Sequence, residues 1–210
     1  MTIVEDAKRL LERMTGIGRP KPKQLAGLTR AVTPRRHRFK DDGATPNNPG
    51  LPLLHYPQAI VLPKEFDPAA VIETLFARHG WKDSWRDGVY DFLHFHTKTH
   101  EVLGIARGSV RVRFGGAKGK IIALKAGDAV VLPAGTGHER MSQSDDLLVV
   151  GAYPASGRYD EPQPDDVDHD EAVAAIAKTR LPAQDPVYGR SGPLRKFWHA
   201  PPRRSSTKRR

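Results

Sequence analysis

The sequence predicts an all-β domain of the sandwich or barrel kind, with short flanking helices and N- and C-terminal arms. Three observations carry this. Five short runs rich in Val, Ile and Leu (VLGIA, SVRVRF, KIIAL, DAVVL and LLVVGAY) follow one another between Tyr90 and Tyr153. Glycine-bearing turns separate them at a spacing of roughly ten residues, the rhythm of a sheet folded back on itself. No helical period interrupts residues 88–153, which argues against a parallel sheet with crossover helices. The 210 residues suffice for one such domain with a real core and extended flanks.

The flanks read as follows. Ile3, Val4, Ala7, Leu10, Leu11 and Met14 recur at helical spacing, so residues 3–14 predict an amphipathic helix ended by Gly16 and Gly18. Its apolar stripe needs a partner, either the main domain or a second copy of the chain. Residues 18–40 are basic and carry three prolines, the composition of an arm. KDDGATPNNPGLPLL (40–54) is too dense in Gly, Pro, Asn and Asp for a regular element and is expected to wrap across a surface. QAIVLP (58–63) predicts a short strand. Asp67 followed by Pro68 predicts a helix start, since Asp caps and Pro suits the first turn, and Gly80 is its stop. Past Tyr153 come an acidic, proline-rich loop (160–168), a short helix DEAVAAIAKTR (170–180) and a proline-punctuated tail.

Composition excludes several kinds of chemistry. There is no cysteine, hence no disulfide, no thiolate metal site and no cysteine nucleophile, and any metal must be held by nitrogen and oxygen. No run of about 18 apolar residues suggests a membrane span, and MTIVEDAKRLLERM does not read as a secretory signal, so a cytoplasmic protein is expected. The net charge of +10 is unevenly spread: residues 1–40 carry +8, residues 181–210 carry +7, and the middle carries −5. The tail PPRRSSTKRR reads as a solvated charge run, so no specific nucleic-acid partner is expected.

The densest concentration of chemistry is HFHTKTHE (94–101), with three of the nine histidines and a glutamate in eight positions. Alternate residues of a strand share a face, which puts Tyr90, Phe92, His94 and His96 together. Two histidines at i and i+2 can then chelate one ion. A straight strand would turn Glu101 away from them. A bulge or turn at Thr97-Lys98-Thr99 would reset the register and leave a choice between His100 and Glu101. Leu103 and Ile105 share a face with Glu101, which favours Glu101 inward. The second segment is GDAVVLPAGTGHERMS (127–142), where Pro133-Ala134-Gly135 turns the chain and His138 opens the next strand.

Together the segments fit G-x5-H-x-H-x4-E-x6-G through Gly88, His94, His96, Glu101 and Gly108. They also fit G-x5-P-x-G-x2-H-x3-N through Gly127, Pro133, Gly135 and His138, with Ser142 in place of the final Asn. On these residues the chain resembles the cupin superfamily. The flanks FKDDGATPNNPGLPLLHY (39–56) and GAYPASGRYDEP (151–162), with DPVYG and GPL further on, resemble the bacterial YjlB-like cupins. The resemblance implies a single double-stranded β-helix, the cupin jelly-roll barrel, over residues 39–198, with its motifs at 88–142. Residues 1–38 are then an amphipathic helix and basic arm, and residues 199–210 a basic tail. It also implies one divalent metal on His94, His96, Glu101 and His138. Three imidazoles and a carboxylate suit Fe, Mn, Ni, Cu or Zn.

The reading that follows is a metal-dependent enzyme of dioxygenase, decarboxylase or isomerase type acting on a small, oxygen-rich molecule. The residual metal charge favours an anion. Arg140, two positions past His138, is a candidate anion partner, and Tyr90 and Phe92 are candidate pocket residues. The alternative is a cupin that binds metal or a small ligand without turnover. No general base stands out besides the ligands. A homodimer is expected, with the N-terminal helix as one possible contact. FGGAKGK (114–120) lacks phosphate-loop spacing and predicts a hairpin turn. Trp81, Trp85 and Trp198 read as core or interface anchors.

Overall fold

In the computed structural model, residues 18–21, 23–154 and 159–198 are described. The helix expected over 3–14, the dimer contact it would supply, and the tail from 199 lie outside them. Among the described residues, nine strands form two antiparallel sheets. They are β1 (Arg35–His37), β2 (Leu53–Tyr56), β3 (Trp81–Asp87), β4 (Glu101–Arg107), β5 (Ser109–Phe114), β6 (Lys120–Lys125), β7 (Ala129–Leu132), β8 (His138–Gln143) and β9 (Leu148–Pro154). The larger sheet has the order β1-β2-β7-β4-β9-β3 and the smaller β6-β5-β8. Three helices flank them: α1 (Pro68–Arg78), α2 (His169–Ala177) and α3 (Pro193–Trp198). This is the expected jelly-roll arrangement, with two facing sheets rather than one ladder closed into a continuous ring.

Period-two alternation builds two cores from the same strands. On β4, Leu103 and Ile105 face the smaller sheet, where they meet Val110, Val112 and Phe114 of β5 and Leu124 of β6. Val102 and Ala106 face the other way, against Ile72 and Phe76 of α1. Val130 and Leu132 of β7 join the first group, and Ala129 and Val131 the second. Slipping either strand by one residue would exchange the two sets, so the register is strongly specified. Gly104 marks how closely α1 lies on the sheet: a Cβ there would stand 2.6 Å from Ile72 Cγ2. Helix α1 starts as expected, with Asp67 accepting from the Ala69 N–H and Pro68 in the first turn.

Two strand assignments change. QAIVLP is not a strand. Gln58 takes a left-handed φ of 51°, and the amides beyond it divide between two partners, Ile60 N–H to Gly127 O and Val61 N–H to Leu28 O. The strand lies just before it, at β2, within the Pro- and Gly-rich wrap. Conversely, WKDSWRD forms β3, which composition conceals. It is an edge strand, and the register shift between Lys82 and Trp85, with Asp83 at φ 51°, breaks its alternation. The basic arm is partly docked: Leu25 and Leu28 are buried in the α1-side core, and β1 pairs with β2.

Candidate metal centre

The segment 88–100 is not a strand of either sheet. It leaves β3 and runs beside β8, meeting it at a bridge between His94 and His138 and through the Arg140 N–H, which donates to Tyr90 O at 2.7 Å. The His94 N–H donates to the His138 carbonyl at 3.2 Å, and the His138 N–H donates back at 2.9 Å. This pairing brings the two imidazoles to a centroid distance of 4.0 Å. Gly135, at φ +88°, turns the chain into β8, and a Cβ there would meet Asn47 O at 2.3 Å. Only glycine fits that turn, and the turn sets His138 as the first residue of its strand.

His94, His96 and His138 are all buried, and one ring nitrogen of each lies within 4.8 Å of the others. These three residues can hold a metal ion. Glu101, the first residue of β4, points into the same space: its Oε2 lies 3.2 Å from His96 Nε2 and 3.4 Å from His138 Nε2. The register reset expected at Thr97-Lys98-Thr99 is a bend, held by Asp160. Its carboxylate accepts from Thr97 N–H at 3.0 Å, from Lys98 N–H at 3.2 Å and from the Thr97 hydroxyl at 2.5 Å. His100 therefore points away from the cluster. Its ring packs 4.8 Å from that of Trp198, and its Nδ1 accepts from the Ala134 N–H.

Hydrogen bonds define the tautomers. His94 Nδ1 contacts Phe92 O at 3.2 Å, His138 Nδ1 contacts Thr136 O at 3.0 Å, and His96 Nδ1 contacts Asp160 O. A carbonyl can only accept, so each Nδ1 carries the proton. In a neutral ring each Nε2 then holds a lone pair, the arrangement found around metal-ligating histidines. Burial opposes a positive charge on His96, but the Glu101 carboxylate overrides it and pushes the ring up to about 9. Burial and then His138 push His94 down to about 3. Burial also opposes ionisation of Glu101, yet His96 and His138 hold its carboxyl well below the usual carboxylate range. A buried carboxylate facing imidazole lone pairs requires a cation, and without a metal the proton on His96 supplies part of that charge.

A cavity of about 220 Å³ opens on this cluster between the sheets. Tyr90 lines it, beside His94, Glu101 and His138. Phe92 stacks on Tyr90 at 4.7 Å but is not among the lining residues. Arg140 is not a lining residue either: it pairs with Asp91 at 3.1 Å and donates to Gln143 at 2.7 Å. The sequence reading missed Trp85, Arg86, Tyr153, Tyr159 and Glu161 in the wall. Trp85 is thus a cavity residue, its indole N–H donating to the Tyr153 hydroxyl at 3.0 Å, whereas Trp81 and Trp198 are buried core anchors. The stretch GAYPASGRYDEP contained the signal for Tyr153, Tyr159, Asp160 and Glu161, but nothing in its composition connects it with HFH.

Two facing antiparallel sheets, with both histidine motifs converging on one buried cluster, define a cupin. The chain belongs to the YjlB family: it is 42% identical over 160 residues to the uncharacterized protein YjlB of Bacillus subtilis (strain 168), covering 76% of this chain and 93% of that protein. No family model matches the chain. Partial structural likenesses accompany this. The acireductone dioxygenase of Bacillus anthracis, with a cadmium ion in its active centre, superposes over 42% of this chain and 59% of its own, at 21% identity and TM-score 0.32. The QdtA 3,4-ketoisomerase of Thermoanaerobacterium thermosaccharolyticum covers 47% and 74%, at 21% identity and TM-score 0.35. The oxalate decarboxylase OxdC of Bacillus subtilis covers 54% and 28%, at 20% identity and TM-score 0.33.

Proposed function

We propose that the protein is a metal-dependent enzyme in which His94, His96, Glu101 and His138 hold one divalent ion. The observation that carries this is the tautomer pattern. Three buried imidazoles each give their Nδ1 proton to a backbone carbonyl, and the lone pairs so released share a small space with the Glu101 carboxylate. Without a metal, the added proton on His96 offsets only part of this crowding of acceptors, and the remainder stays at a cost. Three nitrogens and one oxygen suit Fe, Mn, Ni, Cu or Zn. A divalent ion bound there supplies Lewis-acid polarisation and open positions for a substrate oxygen. The cavity against the cluster supplies the place for a small molecule, as an enzyme requires and a purely structural metal site does not.

The expectation of an anionic substrate rested on the residual metal charge and on Arg140. Arg140 is engaged with Asp91, and the cavity wall carries Asp87 and Glu161 instead. The reading kept is therefore a small, oxygen-rich molecule. Elemental analysis of the purified protein tests the metal: one ion per chain is expected, and full occupancy in His96→Ala would sink the assignment. Turnover is tested by loading the protein with Fe(II) or Mn(II) and following a panel of oxygen-rich substrates by oxygen uptake and product analysis.

A further inference from the structure

We propose that the cavity selects a neutral or cationic aromatic ring bearing adjacent oxygen donors, the catechol class, and discriminates against anions. This rests on the metal reading above, because the metal is what the oxygens would meet. The ring preference comes from the wall. Trp85, Tyr90, Tyr153 and Tyr159 supply four aromatic side chains around a space of about 220 Å³, the scale of a single substituted ring. Two of them stay open at the mouth: Tyr90 is 45% and Tyr159 55% exposed. Each is already held flat by a stacked neighbour, Tyr159 on Tyr153 at 4.9 Å and 6°, and Tyr90 on Phe92 at 4.7 Å and 15°. Rigid aromatic faces left exposed beside a polar site favour a flat partner.

The charge preference comes from which ions in the wall are already neutralised. Arg86 is the cavity's cation, but all three of its guanidinium nitrogens are engaged. Nε and Nη2 donate to Glu73 at 2.6 and 2.9 Å, and Nη1 donates to Asp67 at 2.6 Å. Among the described residues, no cation forms a salt bridge with Asp87 or Glu161. Asp87 and Glu161 are exposed and line the same space as Tyr90. Against two positive charges on a divalent ion stand Glu101, Asp87 and Glu161, and an approaching anion would meet the two rim carboxylates first.

The test uses the full chain loaded with zinc, which is redox-inert, and three probes that share one ring: catechol, 3,4-dihydroxybenzoate and 3,4-dihydroxybenzylamine. Zinc content is measured first, and binding is then followed by calorimetry at low salt. We expect catechol and the amine to bind, the carboxylate to bind at least tenfold more weakly, and Glu161→Gln to narrow that gap at least threefold with zinc retained. Tyr90→Ala should weaken all three. A protein that takes up no zinc overturns the metal reading and this inference with it. A zinc-loaded protein that binds none of the probes, or binds the carboxylate as tightly as catechol, overturns this inference alone.

Discussion

The Asp160 carbonyl accepts the Nδ1 proton of His96 from 64 residues along the chain, and the Asp160 carboxylate ties down the next two residues, Thr97 and Lys98. One residue thus orients the His96 ring and holds the bend that separates it from Glu101. Asp160→Ala keeps the carbonyl but frees the bend. Because the carbonyl partner of His96 remains and only the bend loosens, the expected result is a loss of metal affinity of about tenfold. Competition against a chelator measures it, and unchanged affinity would show that the bend holds without Asp160.

Glu101 and His100 separate cleanly by substitution. Glu101→Gln removes the charge that a divalent ion needs and is expected to lower metal occupancy sharply. His100→Asn keeps an acceptor near Ala134 N–H and should retain one metal per chain. The reverse pattern in elemental analysis would make His100 the ligand.

His100 also predicts an acid sensitivity. Burial pushes its folded-state value down to about 4, below the ordinary 6.5 of a free imidazole. Between these values the unfolded chain binds a proton that the folded chain refuses, so stability falls as pH drops from 6.5 towards 4. The full loss is about 3 kcal/mol. Urea unfolding at pH 7 and pH 5 should show a smaller difference in His100→Asn than in the wild type. Equal differences would assign the acid sensitivity to other groups.

The Arg86 fork on Glu73 and Asp67 joins β3 to α1 behind the cavity. Arg86→Ala removes the bidentate partner of Glu73, which is only 7% exposed but keeps Arg19 at 2.6 Å, and the expected cost is roughly 2 kcal/mol. Arg86→Lys should recover only part of this, because an ammonium cannot satisfy two carboxylates in the same fork. A chemical denaturation midpoint unchanged in Arg86→Ala would remove the fork from the account of stability.

The extent of the folded unit can be tested by truncation. A chain beginning at residue 39 loses buried Leu25 and Leu28 and the strand β1. The two leucines alone are worth about 4 kcal/mol. A chain beginning at residue 18 keeps both and is expected to be more stable by at least that amount. Equal melting temperatures would place the domain start at residue 39, where the resemblance to the YjlB-like cupins begins.

The sequence by itself determined what depends on local period and on residue type. The runs from β4 to β9 were legible because alternation and glycine turns survive in one dimension, and α1 was legible because Asp67 and Pro68 announce a cap. The absence of cysteine restricted any metal to nitrogen and oxygen ligands, and the resemblance to the two cupin motifs picked out His94, His96, Glu101 and His138. Tertiary structure decided what depends on long-range contact. It made 88–100 a loop pinned to β8 rather than a strand, because its amides divide among His138, Pro162 and the Asp160 carboxylate instead of following one neighbouring strand. It turned Glu101 inward and His100 outward through a bend that Asp160 holds. It placed Trp85, Tyr153, Tyr159 and Glu161 around the cluster and tied Arg86 and Arg140 to acids of their own. A side chain's charge can be read from the sequence, but whether that charge is free to meet a ligand depends on which opposite charge the fold has set beside it.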